Sequence, residues 1–370
     1  MQGFISRISE TVRPKEFVIQ AARSVGALAL VRDSRWRRER LMILCYHGVS
    51  VDDEHEWSPT LYISQEQLRN RLRILKRGGY TVLQLSEATR RLYDGTLPPR
   101  AVALTFDDGA VDFERRALPV LREFNMPATV YLTSFYCQTR LPVFDTMLNY
   151  VLWKGRAGKV DVASLIGSSE RLVGDSTPAR VHVKNVFRDH ATALGLSAEE
   201  KDALIGRVTE MLGVDYAKIK ARELLSIMTE ESVRNLPPEL IDVQLHTHRH
   251  RTPRDRALFQ REIRDNAAVI HELRGADVSL EQFCYPSGDY YGEFFPWLRE
   301  CGVRYSTTCL PDLASRSAEP MLLPRFVDTM QQSEATFEAW VSGFAALLPR
   351  RKEFRVDEDR VSSPEALSAL

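Results

Sequence analysis

The chain has 370 residues, 44% of them hydrophobic, with 50 Lys and Arg balanced by 50 Asp and Glu. That is enough apolar material for a substantial core and excludes a disordered or fibrous chain. Zero formal net charge offers no global basic field for nucleic acid, and none of the usual nucleic-acid-binding motifs is present.

Residues 1–40 carry nine basic residues (Arg7, Arg13, Lys15, Arg23, Arg32, Arg35, Arg37, Arg38, Arg40) against four acids (Glu10, Glu16, Asp33, Glu39). Phe17, Val18, Ala21, Val25, Leu28 and Leu30 recur there at near-helical spacing, which predicts a basic amphipathic helix. Such a helix either packs on the domain or lies peripherally on an anionic membrane. Its most apolar stretch, 17–31, is interrupted by Arg23 and is too short to span a bilayer. With no recognisable signal peptide, a cytoplasmic location is expected, peripheral to the inner membrane if the helix meets lipid.

From residue 41 short apolar runs alternate with helical stretches. Strands are expected at Leu41–Tyr46, Thr81–Leu83, Val102–Phe106 and Ala128–Leu132. Helices are expected at Ser64–Arg77 (Ser64 as N-cap, Gln67 at the capping-box position), Ser86–Tyr93 and Glu114–Phe124. Repeated βα alternation implies a largely parallel sheet or barrel. Residues 139–236 break the rhythm and read as a helical insertion, with helices at Phe144–Trp153, Ser197–Leu212 and Ala221–Asn235. The alternation resumes with strands at Ile241–Leu245, Gln282–Tyr285, Arg304–Thr308 and Met321–Phe326, and helices at Arg254–Leu273, Phe294–Cys301 and Ser333–Leu348. The catalytic domain is thus expected over 41–138 and 237–349, followed by a flexible tail over 350–370. Five scattered cysteines (Cys45, Cys137, Cys284, Cys301, Cys309) with no CxxC read as free thiols.

Two constellations carry chemistry. Thr105-Phe106-Asp107-Asp108-Gly109 places two carboxylates directly after a buried strand, where α/β folds set their active sites. Adjacent side chains there point apart, so the two acids can hold different tasks. Asp-Asp-Gly is also ordinary turn chemistry. His246-Thr247-His248-Arg249-His250 follows another buried strand; a helical turn at that point would put His246 and His250 on one face as paired imidazole ligands. His248 would point elsewhere. One carboxylate with two imidazoles leaves coordination positions open, as catalytic zinc sites do.

The motifs TFDDG, HTHRH and FCYPSG resemble, in order, those of the NodB-homology polysaccharide deacetylases. The resemblance covers roughly 41–330 apart from the insertion. It implies a deformed (β/α) barrel, with Asp107 as general base and Asp108, His246 and His250 as metal ligands. It implies a divalent cation, Zn2+ foremost, with Ni2+, Co2+ or Mn2+ as alternatives. Tyr285, Pro286, Ser287 and Gly288 would form a groove wall, with the Ser287 N–H facing the oxyanion. Two departures stand out. Cys284 occupies the place of the third motif's arginine, which steadies the base. The late Leu-x-His, whose histidine is the general acid, is missing, and Leu323-Pro324-Arg325-Phe326 stands near its place. The early Cys45-Tyr46-His47-Gly48-Val49 resembles the strand-end Tyr-His of the poly-N-acetylglucosamine deacetylase branch, which makes His47 a candidate acid. The implied activity is hydrolysis of the acetamide of an N-acetylated glycan, polymeric or lipid-linked. A non-catalytic glycan-binding protein on the same scaffold, or a hydrolase of a small cyclic amide or imide, are the alternative readings.

Overall fold

The computed structural model describes residues 12–139, 141–167 and 176–349, together with Asp357 and Val361. Residues 1–11 and nearly all of the expected tail lie outside the described residues.

The central sheet contains the strands β1 (Arg40–Tyr46), β4 (Thr81–Leu83), β5 (Ala101–Phe106), β6 (Ala128–Leu132), β7 (Ile241–Leu245), β8 (Gln282–Cys284), β9 (Tyr305–Thr307), β10 (Ala314–Ser315) and β11 (Phe326–Val327). A two-stranded ladder of β2 (Gly48–Val49) and β3 (Tyr62–Ile63) stands apart. Strands β1, β5, β6, β7, β8 and β9 are neighbours in that order, all parallel. The sheet curls as the expected (β/α) barrel does. Its two edges are drawn together by one short segment: Leu323 bridges to Thr307 of β9, and Phe326 and Val327 pair with Leu44 and Cys45 of β1.

The period-2 alternation of the strands sorts the side chains into two layers. Met42, Leu44, Tyr46, Val102, Leu104 and Phe106 face the outer helices and join a core with Leu68, Leu72 and Leu75 of the helix Gln65–Arg77. Leu41, Ile43, Ala101, Ala103, Tyr131 and Cys284 point inward, with Leu85, Ala88 and Leu92 of the helix Leu85–Asp94 packed against them. Carrying the inward phase forward by two residues from Ile43 reaches Cys45, and by four residues from Ala103, through Thr105, reaches Asp107.

Ser64 caps the helix Gln65–Arg77 by accepting from the Gln67 N–H, but Gln67 does not close the capping box. Its amide donates instead to the carbonyl of Thr329. Between β6 and β7, the helices Phe144–Lys154, Thr177–Ala193 and Ala198–Leu212 bury their own core around Leu148, Val151, Phe187, Leu204 and Val208.

Several expected elements differ. No helix spans 221–235: Glu223 and Leu225 adopt positive φ, so the chain turns and only Glu230–Arg234 is helical. Met321–Phe326 is not a continuous strand but a 3₁₀ turn at Pro320–Leu322, a bridge at Leu323 and then β11. The last helix breaks at Gly343, φ 90°.

The N-terminal region is not one helix. Val12–Ser24 and Ala27–Arg32 are separated by Gly26 at φ 76°, and a turn of helix follows at Arg35–Arg38. Ile19, Ala22 and Leu28 pack on Ala335, Ala339 and Ala345. Phe17, Val18, Val25 and Leu30 point away from the body and are exposed at 76%, 45%, 78% and 76%. Apart from Leu28, then, the stripe legible in the sequence is not the face that packs. No described helix is long and apolar enough to cross a membrane.

Candidate active site

The turn after β5 separates its two carboxylates. Asp108 and Gly109 take φ 70° and 76°, and the Gly109 N–H donates to the Asp107 carbonyl at 2.9 Å. A Cβ at Gly109 would sit 2.4 Å from Leu132 Cδ1, so a side chain there would have to displace Leu132 as well as hold a left-handed φ. Asp107 continues the inward phase of β5, and the left-handed Asp108 swings to the mouth.

The second constellation is not a helical turn. Thr247 and His250 have φ 62° and 53°, and the next helix begins only at Arg256. This bend nevertheless brings the two outer histidines together: Nε2 of His246 and Nε2 of His250 each lie 3.2 Å from Asp108 Oδ1. Of the eight non-glycine residues at positive φ among those described, Asp108, Thr247, His250 and Ser287 all belong to these loops. Such local strain concentrates where surrounding structure imposes a functional geometry.

His246 is held from behind. Its Nδ1 lies 2.9 Å from the Cys284 carbonyl, so it carries the proton and donates it there, leaving the Nε2 lone pair facing Asp108. Its backbone N–H donates to Asn266 Oδ1, and Asn266 in turn donates to the Leu132 carbonyl and to Ser134 Oγ. His248 turns away; its Nδ1 meets Ser134 Oγ at 2.9 Å, and its carbonyl accepts from Phe135 N–H.

One oxygen and two nitrogens converging within 4.8 Å of one another fit a small divalent cation. The electrostatics agree. Burial pulls His250 down, yet the Asp108 carboxylate more than offsets this and its value rises. Burial pushes Asp108 up, and the His250 charge overcomes it and holds the carboxyl well below its usual range. The cluster therefore draws positive charge to the point where the three side chains meet.

Asp107 is held by a residue outside the family motifs. Arg325, fully buried in the segment that joins the sheet edges, donates Nη1 to Asp107 Oδ1 at 2.7 Å and Nη2 to Oδ2 at 2.8 Å. Its Nε donates to the Thr308 carbonyl, and Nη1 also reaches Thr105 Oγ1. Burial pushes the Asp107 carboxyl up, but the guanidinium outweighs it and holds the group far below the usual carboxylate range. Cys284, standing where an arginine was expected, lies with its Sγ 3.0 Å from Arg325 Nη2. The charge comes instead from the residue just before β11. The available signal was an arginine inside the apolar run Met321–Phe326, a residue that cannot be buried there without a partner.

Asp107, Asp108, His246 and His250 share one cleft with His47, Tyr285, Ser287, Gly288 and Cys309. His47 Nε2 is 3.6 Å from Asp107 Oδ2. Tyr285 donates its hydroxyl to the Met321 carbonyl, and Ser287 follows at φ 58°. Pro286 is buried and shapes the turn without lining the cleft.

A curled parallel sheet thus carries an Asp-His-His cluster and a clamped carboxylate at its strand ends. The polysaccharide deacetylase family model matches residues 94–155, which span both aspartates. A poly-beta-1,6-N-acetyl-D-glucosamine N-deacetylase of Escherichia coli (strain K12) is 31% identical over 103 residues, 27% of this chain. The match covers only 15% of that protein's length. The fold resembles the Streptococcus pyogenes deacetylase PplD, with TM-score 0.54 at 16% identity, covering 84% of this chain and 99% of that one. It also resembles a de-N-acetylase of Aggregatibacter actinomycetemcomitans, with TM-score 0.52 at 15% identity, covering 81% and 99%. Over residues 94–155 the chain is thus similar in sequence to polysaccharide deacetylases, and its fold is similar to that of deacetylases of known structure.

Proposed function

We propose that this protein hydrolyses the acetamide of N-acetylated sugar units in a polysaccharide or lipid-linked glycan, releasing acetate. The observation that carries the reading is the convergence of Asp108, His246 and His250 in one cleft with the ionised, arginine-held Asp107. The name of the E. coli relative supports an N-acetylglucosamine polymer as the substrate class.

Asp108, His246 and His250 would hold the divalent ion, with Zn2+ proposed for two imidazoles and one carboxylate. When bound, such an ion acidifies a water ligand to a pKa of about 7 and polarises a carbonyl. Asp107 accepts the proton of the attacking water. Arg325 fixes both its oxygens and keeps it ionised, which makes it a weak base but one never silenced by prior protonation. The Ser287 N–H is offered to the oxyanion from the cleft wall. His47 protonates the departing amine, and its 3.6 Å approach to Asp107 Oδ2 gives the accepted proton a short path to that nitrogen.

The non-catalytic reading drew on the missing arginine of the third motif and the missing late histidine, and His47 stands in the cleft as the candidate acid in place of the latter. Arg325 supplies the charge of the former, so no observation favours a pure binder. Acetate release from β-1,6-linked and β-1,4-linked N-acetylglucosamine oligomers, before and after chelation, tests the proposal. Chelator-sensitive release from one series is expected; no acetate from any N-acetylated glycan would overturn it.

We also propose that the N-terminal helices contact an anionic membrane surface. Residues 1–40 hold five more basic than acidic residues, so the rest of this neutral chain is net negative by five. The exposed Phe17, Val18, Val25 and Leu30 lie within that basic segment.

A further inference from the structure

The bend that carries His250 is held by one buried acid that does not line the cleft. Glu262, on the helix Arg256–Arg274, is only 1% exposed. Its Oε2 accepts from the Arg249 N–H at 2.8 Å, and its Oε1 accepts from Arg251 Nε at 2.7 Å and from Arg249 Nη1 at 3.2 Å. Its backbone carbonyl accepts from the His248 N–H at 3.1 Å. The bend is closed on itself by the Arg251 N–H, which donates to Thr247 Oγ1 at 3.1 Å. Both neighbours of His250 in the chain are therefore fixed to a single carboxylate.

We propose that Glu262 is a positioning residue for the metal, holding the left-handed turn that aims His250 at Asp108. The inference rests on the ligand set proposed above. Thr247 and His250 at φ 62° and 53° occupy backbone conformations that persist only where surrounding contacts over-determine them. Glu262 supplies those contacts, and it acts through His250 because its carboxylate touches neither the cleft nor the other ligands.

The helix grips the loop at two places one turn apart. Asn266 takes the His246 N–H, and residue 262 takes the N–H groups of His248 and Arg249. One rigid element thus sets the spacing of the two imidazoles, which meet Asp108 Oδ1 at 3.2 Å each. A carboxylate suits the task better than a neutral acceptor. It offers lone pairs enough for all these donors, and it offsets the guanidinium charge that Arg249 and Arg251 bring close to a cation ligand.

The test reads metal binding by the full chain without substrate, with Co2+ as the probe because its visible absorption reports ligand geometry. Glu262→Ala should weaken Co2+ binding by about 10–100-fold and shift the absorption bands, as losing a group that orients a ligand does. Glu262→Gln, with one acceptor oxygen in place of two, should fall between that variant and wild type. Should Glu262→Ala fail to fold, Glu262→Gln decides. Either variant, folded and binding Co2+ with wild-type affinity and spectrum, its only defect a lower Tm, would overturn the proposal and leave the ligand set standing. A wild-type chain that takes up no Co2+ would instead remove the ligand set, and this inference with it.

Discussion

Nδ1 of His246 lies 2.9 Å from the carbonyl oxygen of Cys284, so the third motif reaches the first histidine through its backbone. That bond fixes which nitrogen faces Asp108, and it explains how a cysteine can stand at position 284 without loss to the ligand set: the carbonyl does the work whatever side chain is attached. The Asn266 side chain does the same for the His246 N–H.

From this follows a prediction about metal content. His246→Ala and His250→Ala should each abolish the retention of about one divalent ion per chain. Asn266→Ala should keep stoichiometry but weaken affinity by about 10–100-fold, the usual effect of losing the group that orients a ligand. His248→Ala should leave metal content unchanged and lower stability through the lost Ser134 contact. Metal analysis after dialysis against graded chelator reads all four; full occupancy in His250→Ala would remove that residue from the ligand set.

Asp107→Asn keeps shape and removes the proton acceptor. It should retain metal and lose about 10²–10⁴-fold in kcat. Turnover within a few-fold of wild type would mean that another group takes the proton.

Arg325→Met tests the clamp through pH. The folded-state value of Asp107 is depressed, so the stabilisation it brings is present above the unfolded value of about 3.9 and lost as pH falls toward the folded one. Without the guanidinium, burial pushes the folded value up against only the weaker pull of His47 and His246, and the sign reverses: stability should fall as pH rises above the unfolded value of about 3.9. The loss at neutral pH should be about 3–5 kcal/mol, the cost of stranding one partner of a buried pair. Urea midpoints across that range decide it. A variant with the flat profile of wild type would show that Arg325 does not set the charge state of Asp107.

If His47 protonates the leaving amine, His47→Ala should depress amide turnover sharply with metal content intact. An activated aryl acetate ester needs no such proton, and its hydrolysis should be much less affected. Equal losses on both substrates, with a lowered Tm, would make His47 a structural residue.

For the N-terminal helices, liposome flotation should recover more protein with anionic than with neutral vesicles, and less as salt rises. Val25→Asp should weaken recovery without unfolding the chain, because that side chain is 78% exposed. Equal recovery on both lipids, or a concentration-dependent dimer that Val25→Asp abolishes, would assign the strip to another partner.

The sequence made the parallel sheet legible because β1, β5, β6 and β7 are short apolar runs closed by turn residues, and a buried strand announces itself that way. The positions of Asp107, Asp108, His246 and His250 were legible for the same reason, since each follows such a run. The bend that unites the histidines was not: Thr247 and His250 at positive φ are imposed by tertiary contacts, and a threonine there gives no local hint. Arg325 was hidden for a different reason. Its partner is 218 residues away, and no window of sequence contains both. The N-terminal stripe misled because helical periodicity finds a face without saying whether it faces a core.

That separation has a consequence for biosynthesis. Asp107 leaves the ribosome 218 residues before Arg325. At about 5–20 residues per second this is a delay of roughly 10–40 s. During it the strands up to β9 can pair, but shutting their interior would strand a carboxylate with no positive partner in an apolar enclosure. A sheet that closed before the Leu323–Val327 segment arrived would have to bury Asp107 protonated or leave its centre hydrated, and a chain stalled before that point has the ligands of the cleft without the charge that holds Asp107 ionised.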